Sequence, residues 1–314
     1  MQLNYFMKII TENIEFTREI GFSDNNEFKI YNDNTNSNLI EEIFGSNTQL
    51  FESETCLGIW DYLLIKKMSE KSQYDSLIKL AQSNSVNGNI LCIAGSGNNF
   101  HGFHNRSWVA EEGNIHLSIQ LSPQKKINNY LQGFLALSAL SVVQTINHIP
   151  QLNNKAKIKW VNDILIGNAK VSGVLAHSLT QGEIVKNVIL GIGLNVEKQP
   201  MIELNEFVPE TACLNNFLSD DEKIRISDIM KILLINIEVN YKKLLSGNYQ
   251  YLIQLYRENS AVINREVIIL SDDISNNNTI IAQGKVLNID NNLGLCLDSQ
   301  SNPVQSGRLI LKNN

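Results

Sequence analysis

Several features that define common protein classes are scarce in this 314-residue chain. Four scattered cysteines (Cys56, Cys92, Cys213 and Cys296) form no Cys-x-x-Cys pair, which favours reduced thiols and a cytoplasmic protein. No run approaches the roughly 18 apolar residues of a membrane span, and the early acidic residues are unlike a signal peptide. The formal net charge of -6 argues against a general binder of nucleic acids or anionic membranes.

Standard nucleotide-binding motifs are also missing from the sequence. It contains no G-x-x-x-x-G-K-[ST] loop and no strand-borne G-x-G-x-x-G, and "GSGNNF" (Gly95 to Phe100) is only a weak glycine loop. A nucleotide-using enzyme with this sequence would have to neutralise phosphate charge with other residues.

The order of the predicted elements indicates an α+β protein. Apolar strands and helices alternate up to about residue 262, including a buried helix over 130–148 and two helices over roughly 226–246 and 248–259. The stretch "LGIWDYLLIKKMSEK" has helical periodicity. Beyond residue 264 the pattern changes to short strands separated by Asx/Gly turns, which is typical of a small SH3-like barrel.

The stretch "KWVNDILIGNAKVSGVLAHS", residues 159–178, combines several groups suited to chemistry. A turn at Gly167-Asn168 would bring Lys159 and Lys170 to the same end of a two-stranded unit. Two ammonium groups there would stabilise a carboxylate and developing negative charge, and Asp163 would suit magnesium. The alternative is a solvated hairpin with ordinary surface lysines, and spacing alone does not decide between them.

This stretch resembles the signature of biotin–protein ligases, K-W-P-N-D followed by a Lys-x-x-Gly strand. Val161 replaces the proline, and six residues fall at the family spacing: Lys159, Trp160, Asn162, Asp163, Lys170 and Gly173. Downstream, "VILGIGLNV" resembles the strand that ends in Gly-x-Gly-x-Asn, and the C-terminal strands resemble the family's barrel. The similarity covers roughly residues 46–314.

The resemblance implies a class II synthetase-like catalytic domain over 46–262 with a mixed sheet, an SH3-like domain over 263–314, and an N-terminal extension, 1–45, of unclear role. It implies a ligase that joins biotin to ATP, giving biotinyl-5′-AMP, and transfers biotin to a lysine of a biotin carboxyl carrier domain. ATP with Mg²⁺ and biotin would be the small ligands.

The implied biotin contacts are Ser53, Thr55, Gly102, Lys170, Gly173, Gly191 and Gly193. The implied ATP contacts are Arg106, Trp108, Lys159, Asn162, Asp163 (also for magnesium), Asn195 and Lys312. Lys170 and Arg106 would be catalytic.

The arginine-rich loop of the family departs from its pattern here. In "FHGFHNRSW" (100–108), Gly102, Arg106 and Trp108 match, but Phe103 stands where the family has the arginine that clamps the adenylate. A phenyl ring cannot donate bidentate hydrogen bonds to phosphate. Three explanations remain open: a shifted alignment, compensation by His101 and His104, or weak adenylate retention. These histidines and His116 lack the cysteine or carboxylate set that would complete a metal site.

The biotin-contacting Ser-Thr-Asn motif is degenerate as well. "FESETCLGIWDYLL" sits in its place, with Ser53 and Thr55 as the hydroxyl candidates, although another register puts Gly58-Ile59-Trp60 there. A lipoate or octanoate ligase of the same superfold, and a non-catalytic biotin- or adenylate-binding homologue, therefore remain alternatives. The extension 1–45 lacks a basic recognition helix, so no DNA partner is expected. The resemblance also allows a homodimer, which no feature of the sequence requires.

Overall fold

A computed structural model describes residues 6–22, 27–33, 36–103, 106–272 and 279–312. The described helices are α1 (Ile14–Glu19), α2 (Ser37–Phe44), α3 (Gln73–Gln82), α4 (Tyr130–Asn147), α5 (Ile226–Leu245) and α6 (Tyr249–Glu258). The described strands are β1 (Met7–Thr11), β2 (Lys29–Ile30), β3 (Phe51–Thr55), β4 (Tyr62–Ser69), β5 (Ile90–Gly97), β6 (Ile115–Leu121), β7 (Lys125–Lys126), β8 (Ala156–Lys159), β9 (Asp163–Ile166), β10 (Ala169–Gln181), β11 (Ile184–Leu194), β12 (Glu266–Leu270), β13 (Ile280–Ile289), β14 (Leu295–Leu297) and β15 (Arg308–Leu311). His104 lies outside the described residues.

A large mixed sheet forms the centre of the molecule. Among the described residues it contains eleven strands, in the order β2-β3-β1-β4-β5-β6-β11-β10-β9-β8, with β7 paired to β11. Strand β4 runs parallel to both β1 and β5, and α3 connects β4 to β5, as a parallel pair requires. The other pairs are antiparallel. This confirms the predicted α+β class with a mixed sheet.

Apolar side chains cover both faces of this sheet. Successive strand residues point to opposite faces, so Ile9 and Leu63 pack in the core formed with α4, α5 and α6, whereas Ile10 and Leu64 pack beneath α2 and α3. Full burial of an aliphatic side chain of this size contributes roughly 1.5–3 kcal/mol. The two cores fix α3 on one face of the sheet, where its N-terminus contributes to the cleft described below.

The helix indicated by the periodicity of "LGIWDYLLIKKMSEK" is wrong. These residues instead contain β4, in which Leu63, Leu64 and Ile65 are all fully buried because the strand lies inside the sheet with both faces covered. A continuous apolar run of this kind cannot be distinguished from a buried helix by periodicity alone. The helices predicted over 130–148, 226–246 and 248–259 are confirmed as α4, α5 and α6.

The predicted N-terminal extension, residues 1–45, contributes to the same sheet. Strand β1 is inserted between β3 and β4, and Phe16 of α1 is buried in the main core. Helix α2 carries Glu42, which accepts hydrogen bonds from Lys71, Ser76 and Lys79 on and before α3. The sheet therefore shows no break at residue 45.

A separate antiparallel sheet, in the order β14-β13-β12-β15, forms the small all-β region predicted for the C-terminus. Hydrogen bonds attach it to the large unit: Trp160 Nε1 donates to Leu293 O at 2.6 Å, and Arg257 Nε donates to Ile289 O at 2.6 Å. Trp160 thus anchors the hairpin strands to the C-terminal region. None of the described helices is long and apolar enough to cross a membrane.

Candidate active site

The hairpin formed by β8, β9 and β10 brings the predicted charged residues together. Its β9–β10 turn lies at Gly167-Asn168 as predicted, and Gly167 has a φ of 62°, which favours glycine. Asp163 lies opposite Lys159 on β8 and opposite Gly173 on β10. Lys170 Nζ reaches back across the strands to within 2.6 Å of Asp163 Oδ1. The peptide bond between Trp160 and Val161, just before this group, is cis.

A cleft opens beside this ion pair, with about 710 Å³ of empty space that includes its open mouth. Its lining residues come from α3, the 100–108 loop, β6, the hairpin and β11. Nine of the predicted site residues line it: Gly102, Arg106, Trp108, Asn162, Asp163, Lys170, Gly173, Gly191 and Gly193. Sequence positions separated by up to about ninety residues therefore meet at one site.

The glycines allow the Trp108 ring to lie directly on the sheet. A Cβ atom added to Gly193 would lie 2.3 Å from Trp108 Cζ2, so no larger residue fits while the ring stays in place. One added to Gly173 would lie 3.5 Å from Trp108 Cζ3, an ordinary contact. Lys170 Nζ lies 5.7 Å from the centre of the same ring, within the range of a cation–π interaction. Trp108 and Lys170 therefore form one wall of the cleft.

Asn162 holds the hairpin strands together. Its side-chain Nδ2 donates to Val174 O at 2.8 Å, while the Val174 N–H donates to Asn162 O at 3.0 Å. This reciprocal pair fixes β10 beside the residue that precedes Asp163.

Lys159 lies in a second, smaller cavity rather than in the main cleft. This cavity of about 430 Å³ shares Asp163 and Lys170 with the cleft and is also lined by Phe207 and Arg265. The Lys159 side chain is only 5% exposed and donates to Phe207 O. Burial is the main reason that the pKa of Lys159 falls to about 8; the charge of Asp163 opposes this shift and that of Lys170 contributes to it.

The C-terminal region brings cations to this second cavity. Arg106 NH2 lies 3.8 Å from Asp272 Oδ1, just after β12, and the Arg308 guanidinium lies 3.4 Å from the centre of the Phe207 ring. Burial and the charge of Arg106 lower the pKa of Arg308. The resemblance implied that Lys312 contacts ATP, but Lys312 lines neither cavity. Arg265 and Leu311 line the second cavity instead.

Ser53 and Thr55 lie far from the cleft, which contradicts the biotin contacts predicted for them. They belong to β3, which is separated from β11 by β1, β4, β5 and β6. At about 4.8 Å per strand this is on the order of 24 Å. The other register offers no substitute, since Gly58 packs against Glu238 and Trp60 is 1% exposed in the main core.

Asn195 also lies outside both cavities. It is 1% exposed, its Nδ2 donates to Ala212 O at 3.0 Å, and its backbone N–H donates to Val171 O at 2.8 Å. The side chain that the resemblance assigned to ATP therefore fastens the end of β11 to the segment that follows Thr211.

The sequence reasoning did not assign several lining residues to this cleft, among them Ser72, Tyr74, His116 and Ser118. A serine directly before a helical pattern is a recognisable helix N-cap signal, and Ser72 precedes α3 in this way. Tyr74 carried no signal of its own; burial raises the pKa of its hydroxyl. His116 and Ser118 were hidden because β6 is buried along its whole length.

His101 connects the 100–108 loop to α3. Its Nε2 lies 2.9 and 2.8 Å from the two carboxylate oxygens of Asp75, and its ring meets Tyr74 edge-on. Phe103, at the position of the expected arginine, lines the cleft as well. His101 therefore pairs with a carboxylate and does not replace the guanidinium of the missing arginine.

The oxygen ligands around Asp163 suit magnesium accompanied by phosphate. Within the described ranges, no group of three or more His, Cys, Asp or Glu side chains is arranged to hold a metal ion. Mg²⁺ is, however, usually bound by one or two carboxylates together with substrate phosphates. Asp163 lies where the cleft and the second cavity meet and lines both. A single carboxylate at this place fits a metal that arrives bound to the phosphates of a nucleotide.

Comparison with known proteins agrees with this arrangement. Residues 68–195 match the model of the Biotin/lipoate A/B protein ligase family. The chain is 31% identical over 174 residues to the Bifunctional ligase/repressor BirA of Bacillus subtilis (strain 168), covering 54% of this chain and 51% of that protein. It is 33% identical over 105 residues to the Biotin--[acetyl-CoA-carboxylase] ligase of Paracoccus denitrificans, covering 32% and 41%.

The chain thus spans about half the length of the curated relatives it matches, 51% of the Bacillus subtilis protein. Among solved structures, it is similar to the biotin protein ligase from Aquifex aeolicus in complex with biotin and ATP. That likeness has a TM-score of 0.63 at 24% identity and covers 80% of this chain and 99% of the other. At this identity it establishes the fold.

Proposed function

We propose that this chain, whose residues 68–195 match the model of the Biotin/lipoate A/B protein ligase family, is an ATP-dependent biotin–protein ligase. In the first step, a carboxylate oxygen of biotin attacks the α-phosphorus of ATP. An acyl–phosphate bond forms, the bond to the β-phosphate oxygen breaks, and pyrophosphate leaves. In the second step, the amine of an acceptor lysine attacks the acyl carbon. An amide forms, AMP leaves, and the amine gives up a proton.

The observation that carries this proposal is the position of Lys170 between the two cavities. Its ammonium group lies 2.6 Å from Asp163 and beside the Trp108 wall, and Lys170 lines both cavities. An acid in the cleft and a triphosphate extending into the second cavity would meet at this group. A fixed ammonium there would bind the carboxylate and stabilise the negative charge that develops at the α-phosphate.

The surrounding charges support a triphosphate in the second cavity. Lys159, Lys170 and Arg265 line it together with the carboxylates of Asp163, Glu206 and Glu210. Burial and the charge of Arg106 lower the pKa of Arg308. The two guanidinium groups repel each other, and an anion bound near them relieves that repulsion. Asp163 would hold the magnesium ion that accompanies ATP. When bound, this ion would neutralise phosphate charge.

The choice of biotin rests on the relatives. The Paracoccus denitrificans protein is a Biotin--[acetyl-CoA-carboxylase] ligase, and the Aquifex aeolicus structure holds biotin and ATP. We therefore propose a biotin carboxyl carrier domain as the acceptor. Ser72 and Ser118 line the cleft and replace Ser53 and Thr55 as the hydroxyl candidates for the biotin ring.

One observation favours a second candidate, a homologue that binds biotin and ATP without turnover. Phe103 lines the cleft at the position of the expected arginine and cannot donate hydrogen bonds to the adenylate. Arg106 and Lys170 still line the same cleft. The two candidates differ in whether an acceptor becomes modified.

A transfer assay tests the proposal. The purified protein is incubated with MgATP and an apo biotin carboxyl carrier domain, together with biotin, lipoate, octanoate or no acid, and the carrier is weighed by mass spectrometry. The proposal predicts a biotin adduct, and the Lys170→Ala variant should give none. Transfer of lipoate or octanoate alone would identify a ligase of the other acyl class. Binding of biotin and ATP with no transfer would identify the non-catalytic homologue.

A further inference from the structure

A buried histidine lies beneath the aromatic wall of the cleft. His116 on β6 lies directly opposite Gly193 on β11, and the Trp108 ring lies over Gly193. The His116 side chain is 3% exposed, and Phe100 meets its ring edge-on at 5.8 Å. Trp108 is therefore bounded by Gly193 below and by His116 at its side.

The hydrogen bonds of His116 fix its tautomer. Trp108 Nε1–H donates to His116 Nδ1 at 3.3 Å, so Nδ1 must be an acceptor. On the other side of the ring, His116 Nε2 lies 3.1 Å from Glu111 O, which can only accept. The neutral imidazole with its proton on Nε2 satisfies both contacts. A proton on Nδ1 would place two N–H groups face to face.

Burial supports the same protonation state. It lowers the pKa of His116 to about 4, although the hydrogen bond to Glu111 O opposes the shift. At neutral pH His116 is therefore an uncharged acceptor that receives the only hydrogen bond recorded for the Trp108 indole within the described part of the chain.

We propose that His116 is a positioning residue for nucleotide binding, acting through Trp108. The hydrogen bond to Nδ1 holds the indole flat on Gly193 and beside Lys170. Without it, the indole can rotate about its side-chain bonds and leave the wall that the substrates contact. Identifying the affected ligand as the nucleotide rests on the proposed function, with the adenosine end of ATP in the cleft that Trp108 lines and the triphosphate extending from there into the second cavity. The orientation of the Trp108 ring is fixed in the free protein and does not depend on which ligand binds.

Two substitutions separate the hydrogen bond from packing. His116→Leu has a similar volume without an acceptor, whereas His116→Asn can present its amide oxygen near the place of Nδ1. Losing one well-placed hydrogen bond corresponds to about a tenfold change in an equilibrium constant. We expect His116→Leu to raise the KM and Kd for ATP about tenfold with little change in kcat, and His116→Asn to recover most of that loss.

The indole N–H resonances provide a readout that does not depend on turnover. The chain has three tryptophans, and Trp108→Phe identifies the signal of Trp108 in a ¹⁵N-labelled sample. We expect this signal to move upfield in His116→Leu and to stay near its original position in His116→Asn. The backbone amide signals of both variants should keep the dispersion of a folded protein.

Three results would overturn the proposal: an unmoved indole signal in His116→Leu, an unchanged Kd for ATP, or equal impairment in His116→Asn. The NMR signal and the Kd from calorimetry need no catalysis. If the wild-type protein does not transfer biotin, the proposed function is refuted, but the NMR signal and the Kd still test the role of His116.

Discussion

Lys170 Nζ and Asp163 Oδ1 lie 2.6 Å apart at the junction of the cleft and the second cavity. Both side chains are 19% exposed, so water screens this pair only partly. The carboxylate orients the ammonium group when no anion is bound. A substrate carboxylate or a magnesium-bound phosphate would have to share or replace this contact, which makes Asp163 a sensitive position for substitution.

Asp163→Asn keeps the size of the side chain and removes its charge. We expect kcat/KM for ATP to fall by about 10- to 100-fold, since a charge-assisted contact and the carboxylate that would hold magnesium are both lost. The Mg²⁺ concentration for half-maximal activity should rise. Steady-state kinetics at several Mg²⁺ concentrations measures both effects. The exposed Asp220→Asn serves as a matched control that should behave as wild type.

Nucleotide binding should weaken as the pH rises through the pKa of Lys159. Burial lowers that pKa to about 8, so the side chain is a cation below this value and neutral above it. We expect the KM for ATP to rise by up to about tenfold between pH 7 and 9.5. Lys159→Met is neutral at every pH and should show the high KM without this step. A step of the same size in Lys159→Met would show that another group titrates.

Gly193 and Gly173 should tolerate alanine to different degrees. A Cβ at Gly193 would displace the Trp108 ring, whereas one at Gly173 meets it at an ordinary 3.5 Å. Misplacing a group in an active site can cost about 100-fold in rate. We expect about this loss of kcat/KM in Gly193→Ala and only a few-fold loss in Gly173→Ala. Equal losses in both variants would contradict the observed ring position.

His116 should make the protein less stable in mild acid. Its folded pKa of about 4 lies below the ordinary 6.5, so the unfolded chain takes up a proton first as the pH falls. Stability is fully present above pH 6.5 and is lost as the pH falls toward 4. By linkage the loss is about 2–3 kcal/mol. Urea unfolding at pH 7 and 4.5 should show a smaller loss in His116→Asn than in wild type. The exposed His148→Asn should match the wild-type change.

Glu42 should stabilise the packing of α2 against α3. Burial opposes its ionisation, but hydrogen bonds from Lys71, Lys79 and Ser76 outweigh this and lower its pKa to about 2. Because both lysines are largely exposed, we expect Glu42→Gln to cost only about 1 kcal/mol of unfolding free energy. The neighbouring, exposed Glu41→Gln is the matched control in urea denaturation. Equal stability of the two variants would show that the ion pairs contribute nothing.

The hairpin was predictable because its signals are local. Gly167-Asn168 sets the turn, and the spacing of Lys159, Asp163 and Lys170 then follows from strand geometry. The same holds for α4, whose continuous apolar sequence indicates a buried helix. Residues within about twenty positions of one another therefore carried the prediction that Lys159, Asp163 and Lys170 lie together.

The contributions of distant segments were not predictable in this way. The resemblance assigned Ser53 and Thr55 to the biotin site, and nothing local in the sequence indicates that β1 inserts beside β4 with β3 on its outer side. Likewise, Arg308 reaches the second cavity region because β15 pairs with β12, a pairing that links the two ends of the C-terminal region. Strand order is a property of the whole chain.

The central claim is that the Lys170 hairpin activates biotin with ATP, and pyrophosphate exchange tests it most directly. Labelled pyrophosphate enters ATP only if the first step is reversible at the site, and no acceptor protein is needed. The account predicts exchange that depends on biotin and disappears in Lys170→Ala. Folded wild-type protein that binds ATP and biotin but exchanges no pyrophosphate would contradict it.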